Sequence, residues 1–222
     1  MQQLGPNLLL VNEIFLSLQG EGSRSGWPAI FIRLQGCRVN CPFCDTKYAQ
    51  KIRSAYRLPD HSQKIVQKTI PDPHYSAYTA AELCALLKTL PSRAQLVVIT
   101  GGEPCEQNIM QLTRMLAKNY AVQLETSGTA PILVDNAVWV TLSPKQKPIQ
   151  LQNWHRANEI KIPVQTEADL NLHREMLSRL KSKKIWLQPI DCDQKATKLC
   201  VRLCQENNYY LSLQLHKYLN IP

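Results

Sequence analysis

The sequence predicts an α/β fold in which a parallel sheet forms a partial, open (β/α) barrel with reduced helical content. Short apolar runs rich in β-branched residues alternate with amphipathic segments, as in a chain of β-α units. The chain has 222 residues, whereas a closed eightfold barrel typically needs about 250. Residues 47–74 are polar and interrupted by proline, with no helix or strand period. Too few residues therefore remain for a full set of crossover helices.

The first half of the chain predicts three strands and one helix. Residues 8–18 and 29–35 are apolar runs of strand type, and the uninterrupted apolar character of the second suits burial on both faces. The sequence from Thr79 to Glu82 is that of a capping box, which predicts a helix from there to about Leu90. The β-branched run 96–100 predicts the third strand.

The second half continues the alternation of helices and strands. Thr166 is the expected N-cap of a long helix. The predicted helices are 108–119, 166–181 and 195–207, and the predicted strands are 121–125, 138–142, 158–162, 184–187 and 211–215. No repeat or linker interrupts this order, so residues 1–222 are expected to form a single domain. Residues 47–74 are expected to be an irregular basic excursion over its surface.

The composition favours a globular protein with a small-molecule site over a nucleic-acid-binding protein. The formal net charge is +9, but the basic residues are scattered and aromatic residues make up only 7%. This pattern lacks the aromatic signature of an RNA-binding surface, and it fits a solvated surface with a site for anionic small molecules. No apolar stretch reaches the ~18 residues of a membrane span, and the first residues lack a secretory pattern. We therefore expect a cytoplasmic protein.

Three of the eight cysteines, Cys37, Cys41 and Cys44, lie in one short loop. Three thiolates form a site for a soft metal. Structural zinc usually takes four protein ligands in two separated pairs, whereas a [4Fe-4S] cluster held by three thiolates leaves one iron open to a substrate or cofactor. Of the other cysteines, Cys84, Cys200 and Cys204 are expected in the core, and Cys105 and Cys192 have no assigned role.

Polar residues follow several of the predicted strands, where the reactive groups of parallel β/α folds gather. Adjacent glycines at Gly101-Gly102 would let a ligand approach the backbone, and Glu103 would accept a hydrogen bond from an ammonium group. Arg33 lies within an apolar strand, where an unpaired charge is costly. We expect it to reach a carboxylate, either of a ligand or of Glu21. Thr46 offers a hydroxyl oxygen to Mg²⁺. Each feature alone also fits a turn or a solvated side chain.

Taken together, these motifs resemble the radical S-adenosylmethionine enzymes. The cysteine loop has the spacing Cys-x3-Cys-x2-Cys with Phe43 before the third cysteine, and Gly101-Gly102-Glu103-Pro104 is similar to the second motif of that superfamily. Further stretches resemble the 7-carboxy-7-deazaguanine synthases of queuosine biosynthesis more narrowly. They are Glu13-Ile14-Phe15, Gln19-Gly20-Glu21-Gly22, Phe31-Ile32-Arg33-Leu34-x-Gly36-Cys37, Cys44-Asp45-Thr46, Glu125-Thr126-Ser127-Gly128-Thr129, Ser143-Pro144-Lys145, Gln188-Pro189 and Gln214-x-His216-Lys217.

The resemblance implies a radical SAM type of barrel and a defined reaction. A reduced [4Fe-4S] cluster on Cys37, Cys41 and Cys44 would cleave S-adenosylmethionine to a 5′-deoxyadenosyl radical. That radical would take a hydrogen from C6 of 6-carboxy-5,6,7,8-tetrahydropterin. Ring contraction, assisted by Mg²⁺, and loss of ammonia would give 7-carboxy-7-deazaguanine. The resemblance also implies an electron donor such as a flavodoxin, a homodimer, and no direct contact with nucleic acid or membrane.

The resemblance assigns site residues by matching position. The cofactor would contact Phe43, Cys44, Asp45, Gly102, Glu103, Ser127, Ser143, Pro144 and Lys145, and the pterin would contact Leu18, Gln19, Gly20, Glu21, Arg33, Thr100, His216 and Pro222. Thr46 would hold Mg²⁺. No catalytic side chain beyond cluster and cofactor is expected.

Two alternatives remain open from the sequence. A radical-generating activase acting on a protein glycine would share the cysteine loop and a short partial barrel, but it should have a different substrate face. A zinc-stabilised nucleic-acid-binding module would need a fourth ligand close to the three cysteines, and no cysteine or histidine follows within several residues of Cys44.

Overall fold

One sheet organises the protein, which is described here by a computed structural model covering residues 8–145, 148–180 and 182–222. Within these ranges the strands are β1 (Leu8–Leu18), β2 (Pro28–Leu34), β3 (Ser76–Thr79), β4 (Leu96–Gly101), β5 (Ala121–Thr126), β6 (Trp139–Leu142), β7 (Glu159–Val164), β8 (Lys184–Pro189) and β9 (Tyr210–Leu211). Their order is β3-β1-β2-β4-β5-β6-β7-β8-β9. Because β3 and β9 stand at the two ends of this order, the barrel is open, as predicted.

The sheet is parallel from β2 to β9 and antiparallel at one edge. β1 runs antiparallel to both β2 and β3, and it pairs Leu18 with Pro28 and Leu9 with Tyr78. β3 lies just beyond the polar stretch and was not predicted. The end of β1 therefore lies beside the start of β2, so the loop after β1 leaves from the opposite end of the sheet to the loops that follow the parallel strands.

The alternation of side chains along the strands separates the core from the site. On β7, Ile160, Ile162 and Val164 face the main hydrophobic core, together with residues of the covering helices. Glu159 and Lys161 alternate with them and therefore face the other side of the sheet. The core thus lies between sheet and helices, and the opposite face of the sheet is free to carry polar groups.

The helices are short, in agreement with the predicted reduced helical content. They are α1 (Ala80–Thr89), α2 (Met110–Leu116), α3 (Leu151–Arg156), α4 (Glu167–Asn171), α5 (Arg174–Arg179), α6 (Gln194–Asn207) and α7 (Leu215–Leu219). The capping box that opens α1 is confirmed, since Thr79 and Glu82 satisfy each other's backbone N–H groups. No helix within the described ranges is both long and apolar enough to cross a membrane.

Two predicted elements were wrong in extent. The long helix 166–181 is divided into α4 and α5 by a turn at Leu172, whose side chain is 63% exposed, so the apolar stripe is not continuous. Lys181, its expected last residue, lies outside the described residues. The predicted strand 211–215 is limited to Tyr210–Leu211, and Leu215 instead begins α7. Helix α3 had no sequence prediction.

Residues 47–74 are irregular but are not only a surface excursion. They contain three short 3-10 helices, Lys47–Ala49, Ser54–Tyr56 and Gln63–Ile65. Ile65 is fully buried, and the backbone N–H of Gln67 donates to the carbonyl of Ile14 on β1 at 2.7 Å. The segment therefore packs against the antiparallel edge of the sheet and supports the loop that follows β2.

Candidate active site

A pocket of about 270 Å³ lies on the polar face of the sheet. It is lined by predicted residues of β1, β2 and β4, of the loops after β1, β2, β4, β5 and β6, and of the C-terminal segment: Leu18, Gln19, Gly20 and Glu21; Arg33; Cys37, Cys41, Phe43, Cys44, Asp45 and Thr46; Thr100, Gly102 and Glu103; Ser127; Ser143 and Lys145; His216 and Pro222. Pro144 alone among the predicted site residues does not line it. Residues far apart in sequence therefore converge on one cavity.

The three cysteines of the loop after β2 are free thiols that line this pocket. The backbone N–H groups of Gly36 and Cys37 donate to the carbonyls of Ala49 and Gln50 at 2.7 and 2.9 Å, which fixes the start of the loop. Burial raises the pKa of the Cys37 and Cys41 thiols, so they stay protonated until a metal displaces the proton.

The spacing of the thiols fits a cluster better than a single ion. Among the described residues, no three His, Cys, Asp or Glu side chains converge closely enough to hold one metal ion. The three thiols nevertheless open onto one cavity. A four-iron cluster takes one thiolate at each of several irons, so its ligands surround a volume rather than a point.

Gly101 and Gly102 line the pocket and also have a structural role that was not predicted. A Cβ at Gly101, whose φ is +138°, would overlap the backbone of Leu34, and a Cβ at Gly102 would overlap the carbonyl of Gly36. The N–H groups of Gly102 and Glu103 donate to Leu34 and Gly36 at 2.9 and 2.8 Å. The two glycines therefore let the chain's own backbone pass closely, which joins the turn after β4 to the cysteine loop.

The Glu103 carboxylate is buried and firmly oriented at the edge of the pocket. It accepts hydrogen bonds from the backbone N–H groups of Cys105 and Ser127 at 3.1 and 2.8 Å, from the Thr126 hydroxyl at 2.5 Å, and from the Ser127 hydroxyl. Neighbouring parts of two strand-end loops thus hold this carboxylate in place before any ligand binds. Burial and the nearby carboxylate also raise the pKa of Cys105 to about 12.

Arg33 does not reach Glu21, which corrects one of the two expected pairings. Its Nε lies 2.5 Å from Oε1 of Glu13, directly opposite on β1. The Tyr48 hydroxyl donates to the same oxygen at 2.9 Å, and burial raises the pKa of this phenol. The hydrogen bonds among the described residues use only Nε of the guanidinium. Its terminal nitrogens are therefore available to an anion in the pocket.

The wall of the pocket contains a buried group of three charged side chains that the sequence did not predict. Its centre is Lys161, on β7. The Lys161 ammonium binds Glu21, and it also lies 2.9 Å from Oε2 of Glu125 on β5. The side chain of Lys161 is 5% exposed, and those of Glu21 and Glu125 are 16% and 15% exposed. Gln188 and Gln214 each donate to Glu21 at 3.2 Å.

The charges within this group depend on one another. Burial opposes ionisation of Lys161, but Glu125 and Glu21 outweigh it, so its pKa is raised. Burial likewise opposes ionisation of Glu21, yet Lys161 and His216 hold the pKa of that carboxyl below its usual value. Burial and the neighbouring Glu21 raise the pKa of Glu125. The ammonium is therefore the group that opposes protonation of two adjacent buried carboxyl groups.

Lys145 and His216 are less basic than usual because they are buried. Burial lowers the pKa of Lys145, and the charge of Lys161 adds to the effect. Its Nζ donates to the Ser143 hydroxyl at 2.9 Å and lies 5.6 Å from the centre of the Phe43 ring. Burial also lowers the pKa of His216, although Glu21 and Asp45 oppose this.

Thr46 and Pro222 lie at the remaining edges of the pocket. The Thr46 hydroxyl is 3.7 Å from Sγ of Cys44, so a cation bound there would be next to the cysteine loop. The main-chain oxygen of Pro222 accepts a hydrogen bond from Ser17 at 2.6 Å.

Several pocket residues had no sequence prediction as site residues. They include Phe15, Phe31, Gln50, Glu125, Lys161, Gln188, Gln214 and Lys217. Lys161 could have been found, since it interrupts the apolar run Ile160 to Val164 just as Arg33 interrupts its own strand. Glu125, Gln188 and Gln214 lie in stretches that carried the family resemblance. Phe15 and Phe31 also lie in stretches that carried the resemblance, but both were interpreted only as strand residues.

Comparison with known proteins agrees with this geometry. A family model described as a 4Fe-4S single cluster domain matches residues 18–184. The 7-carboxy-7-deazaguanine synthase of Buchnera aphidicola subsp. Schizaphis graminum is 42% identical over 216 residues, which cover 95% of this chain and 98% of the relative. The chain belongs to the 7-carboxy-7-deazaguanine synthase family. The family member of Escherichia coli strain K12 is also 42% identical, over 223 residues and the same shares.

The fold is shared as well. The crystal structure of QueE from Escherichia coli matches with a TM-score of 0.87 at 40% identity, covering 93% of this chain and 94% of that chain. This radical SAM family uses a [4Fe-4S] cluster and S-adenosylmethionine as cofactors. The activase and zinc-module alternatives are therefore set aside.

Proposed function

We propose that this pocket converts 6-carboxy-5,6,7,8-tetrahydropterin to 7-carboxy-7-deazaguanine with loss of ammonia. The names of the relatives give the product, and the family resemblance implies the substrate. One observation carries the proposal. The three thiols and the charged group of Glu21, Glu125 and Lys161 open onto the same cavity. A cluster used only for electron transfer would have no need of a polar ligand site beside it.

The residues that would hold the cofactors lie around the cysteine loop. Cys37, Cys41 and Cys44 would ligate the cluster. Phe43, Asp45, Gly102, Glu103, Ser127, Ser143 and Lys145 would contact S-adenosylmethionine, with Pro144 setting the turn between the last two. When bound, cluster and cofactor supply a 5′-deoxyadenosyl radical that takes hydrogen from the substrate. Glu103, held in place by Cys105, Thr126 and Ser127, would supply negative charge beside the amine of the cofactor.

The residues that would hold the pterin form the rest of the pocket. Arg33 offers its terminal guanidinium nitrogens to the substrate carboxylate, since Glu13 takes only Nε. Leu18, Gln19, Gly20, Glu21, Thr100, His216 and Pro222 would complete the binding surface. Tight positioning matters here because a radical must be kept from water and from other hydrogen donors.

Three further assignments belong to the same proposal. Thr46 would bind Mg²⁺ against the substrate carboxylate, which its place beside Cys44 supports. An outside electron donor such as a flavodoxin would reduce the cluster, and the enzyme would act as a homodimer. The whole chain would act as one catalytic domain, which is supported by the single sheet that its strands share.

The test is anaerobic reconstitution with iron and sulfide. The protein is then incubated with S-adenosylmethionine, reductant, Mg²⁺ and carboxytetrahydropterin, and products are measured by mass spectrometry. We expect iron-dependent absorbance, cleavage of the cofactor and formation of 7-carboxy-7-deazaguanine. Stoichiometric zinc without iron-dependent absorbance would contradict the cluster assignment. Cofactor cleavage with an unchanged pterin would contradict the substrate assignment alone.

A further inference from the structure

Lys161 is held in the pocket by the strand to which it belongs. On β7 it alternates with Ile160 and Ile162, which are anchored in the core, so its side chain must cross the polar face of the sheet. Below it, Glu159 is fully buried and accepts hydrogen bonds from the Thr141 hydroxyl at 2.8 Å and from Nε1 of Trp186 at 2.9 Å. The backbone position of Lys161 and the direction of its side chain are therefore both set by β7.

The two carboxylates that Lys161 joins are almost saturated by the protein. Glu21 accepts from Lys161, Gln188 and Gln214. Glu125 accepts from Lys161, from Gln123 at 2.7 Å and from Gln19 at 3.3 Å. An ionised carboxylate has about four acceptor positions. Each of the two therefore keeps about one free acceptor position on the side of the cavity.

Removing the ammonium would change the hydrogen-bonding character of the pocket wall that Glu21 and Glu125 form. Two carboxylates in one buried site cannot both stay ionised without a cation between them, so one would take up a proton. A protonated carboxyl group is a hydrogen-bond donor as well as an acceptor. The wall would then accept ligands that present an oxygen where it now requires an N–H group.

We propose that Lys161 determines substrate specificity through Glu21 and Glu125, which it holds as two adjacent acceptors for the N–H groups of an aminopyrimidinone ring edge. The inference rests on the proposed function, because a pterin is the ligand that brings such an edge. It makes Lys161 a positioning residue, and it explains why a cation lies in a pocket wall that recognises donors.

The test compares two fluorescent ligands on reconstituted protein without reductant, so that no turnover occurs. 6-Carboxypterin carries the amino group and 6-carboxylumazine has a carbonyl oxygen in its place. Both are titrated against the wild type, Lys161→Met, Lys161→Arg and Lys184→Met. The last is a matched control, because Lys184 lies on the neighbouring strand β8 and is exposed.

We expect the wild type to prefer 6-carboxypterin by about tenfold or more, which corresponds to about 1.4 kcal/mol. In Lys161→Met this preference should fall below about threefold, since one carboxyl becomes a donor, while the iron content stays unchanged. Lys161→Arg should restore most of the preference, and Lys184→Met should keep it.

An unchanged preference in Lys161→Met would overturn the inference. If that variant does not fold, Lys161→Gln is titrated instead, and an unchanged preference there has the same meaning. The experiment distinguishes failure of the proposed function from failure of the role proposed for Lys161. If the wild type neither binds 6-carboxypterin nor converts the tetrahydropterin, the proposed function fails. If the wild type does both and the variant keeps its preference, only the role of Lys161 fails.

Discussion

Two basic side chains, Arg33 and Lys161, interrupt apolar strands, and each is paired with carboxylates beside the pocket. An isolated buried charge costs several kcal/mol, and removing one partner of a buried pair is more harmful than replacing both. Such pairs contribute little net stability, so stability alone gives no reason to place them in these strands. Their position on the polar face of the sheet instead links both to ligand binding.

Thr46 gives the first prediction at the residue scale. Replacing it with Ala removes the hydroxyl beside Cys44 and should weaken the response to Mg²⁺ by about tenfold or more, as the loss of a metal contact typically does. The measurement is pterin conversion against Mg²⁺ concentration. Thr46→Ser keeps the oxygen and should behave like the wild type. Identical Mg²⁺ dependence in the Ala variant would remove Thr46 from the metal site.

At the scale of elements, the turn after β4 and the cysteine loop form one unit. Gly102→Ala would drive a methyl group into the carbonyl of Gly36, and overpacking of this kind costs about 1–3 kcal/mol. We expect a lower free energy of unfolding and, after reconstitution, less iron per chain than in the wild type, because the cysteine loop must shift.

Gly26→Ala is the matched control for that substitution. Gly26 has a positive φ, +86°, which Gly102 does not have, and a Cβ at Gly26 would meet nothing within 4 Å. It should cost about 1 kcal/mol through backbone strain alone and leave the iron content unchanged. Equal iron loss in both variants would show that a general loss of stability, and not the contact with the cysteine loop, is responsible.

The strands and helices also show which parts of the fold can be predicted from the sequence. Strands β1, β4 and β5 were predicted closely, because short apolar runs of strand length indicate burial in a sheet. The split at Leu172 and the short β9 were not, because such boundaries depend on tertiary contacts. In the site, motif residues were predicted by likeness, whereas Lys161 and the pairing of Arg33 with Glu13 depend on which strands become neighbours. That information lies in the topology and not in any local pattern.

At the scale of the whole molecule, the antiparallel edge and the parallel part of the sheet contribute different residues to the pocket. Loops after β2, β4, β5 and β6 carry the cysteines and the residues assigned to the cofactor. The loop after β1 leaves from the other end of the sheet, yet Glu21 reaches Lys161, Gln188 and Gln214. Because the barrel is open, this loop can close part of the pocket that a further β-α unit would otherwise cover.

The stability of the whole chain should depend on pH through its buried histidines. Burial lowers the pKa of His173, which packs beside Trp154, and Asp169 opposes this only in part. The unfolded chain then binds this proton at a higher pH than the folded chain. The stabilisation is therefore complete above about pH 6.5, and it is lost as the pH falls through the lower pKa of the folded form.

His173→Gln isolates this effect from the carboxylates, since Glu125, with its raised pKa, acts in the opposite direction. Thermal unfolding of the protein between pH 7 and pH 5 should show a smaller decrease in midpoint temperature for His173→Gln than for the wild type. His155→Gln, at an exposed position, should follow the wild type. If the His173→Gln and wild-type curves stay parallel over this range, His173 takes up its proton equally in both states, and its burial has no thermodynamic consequence.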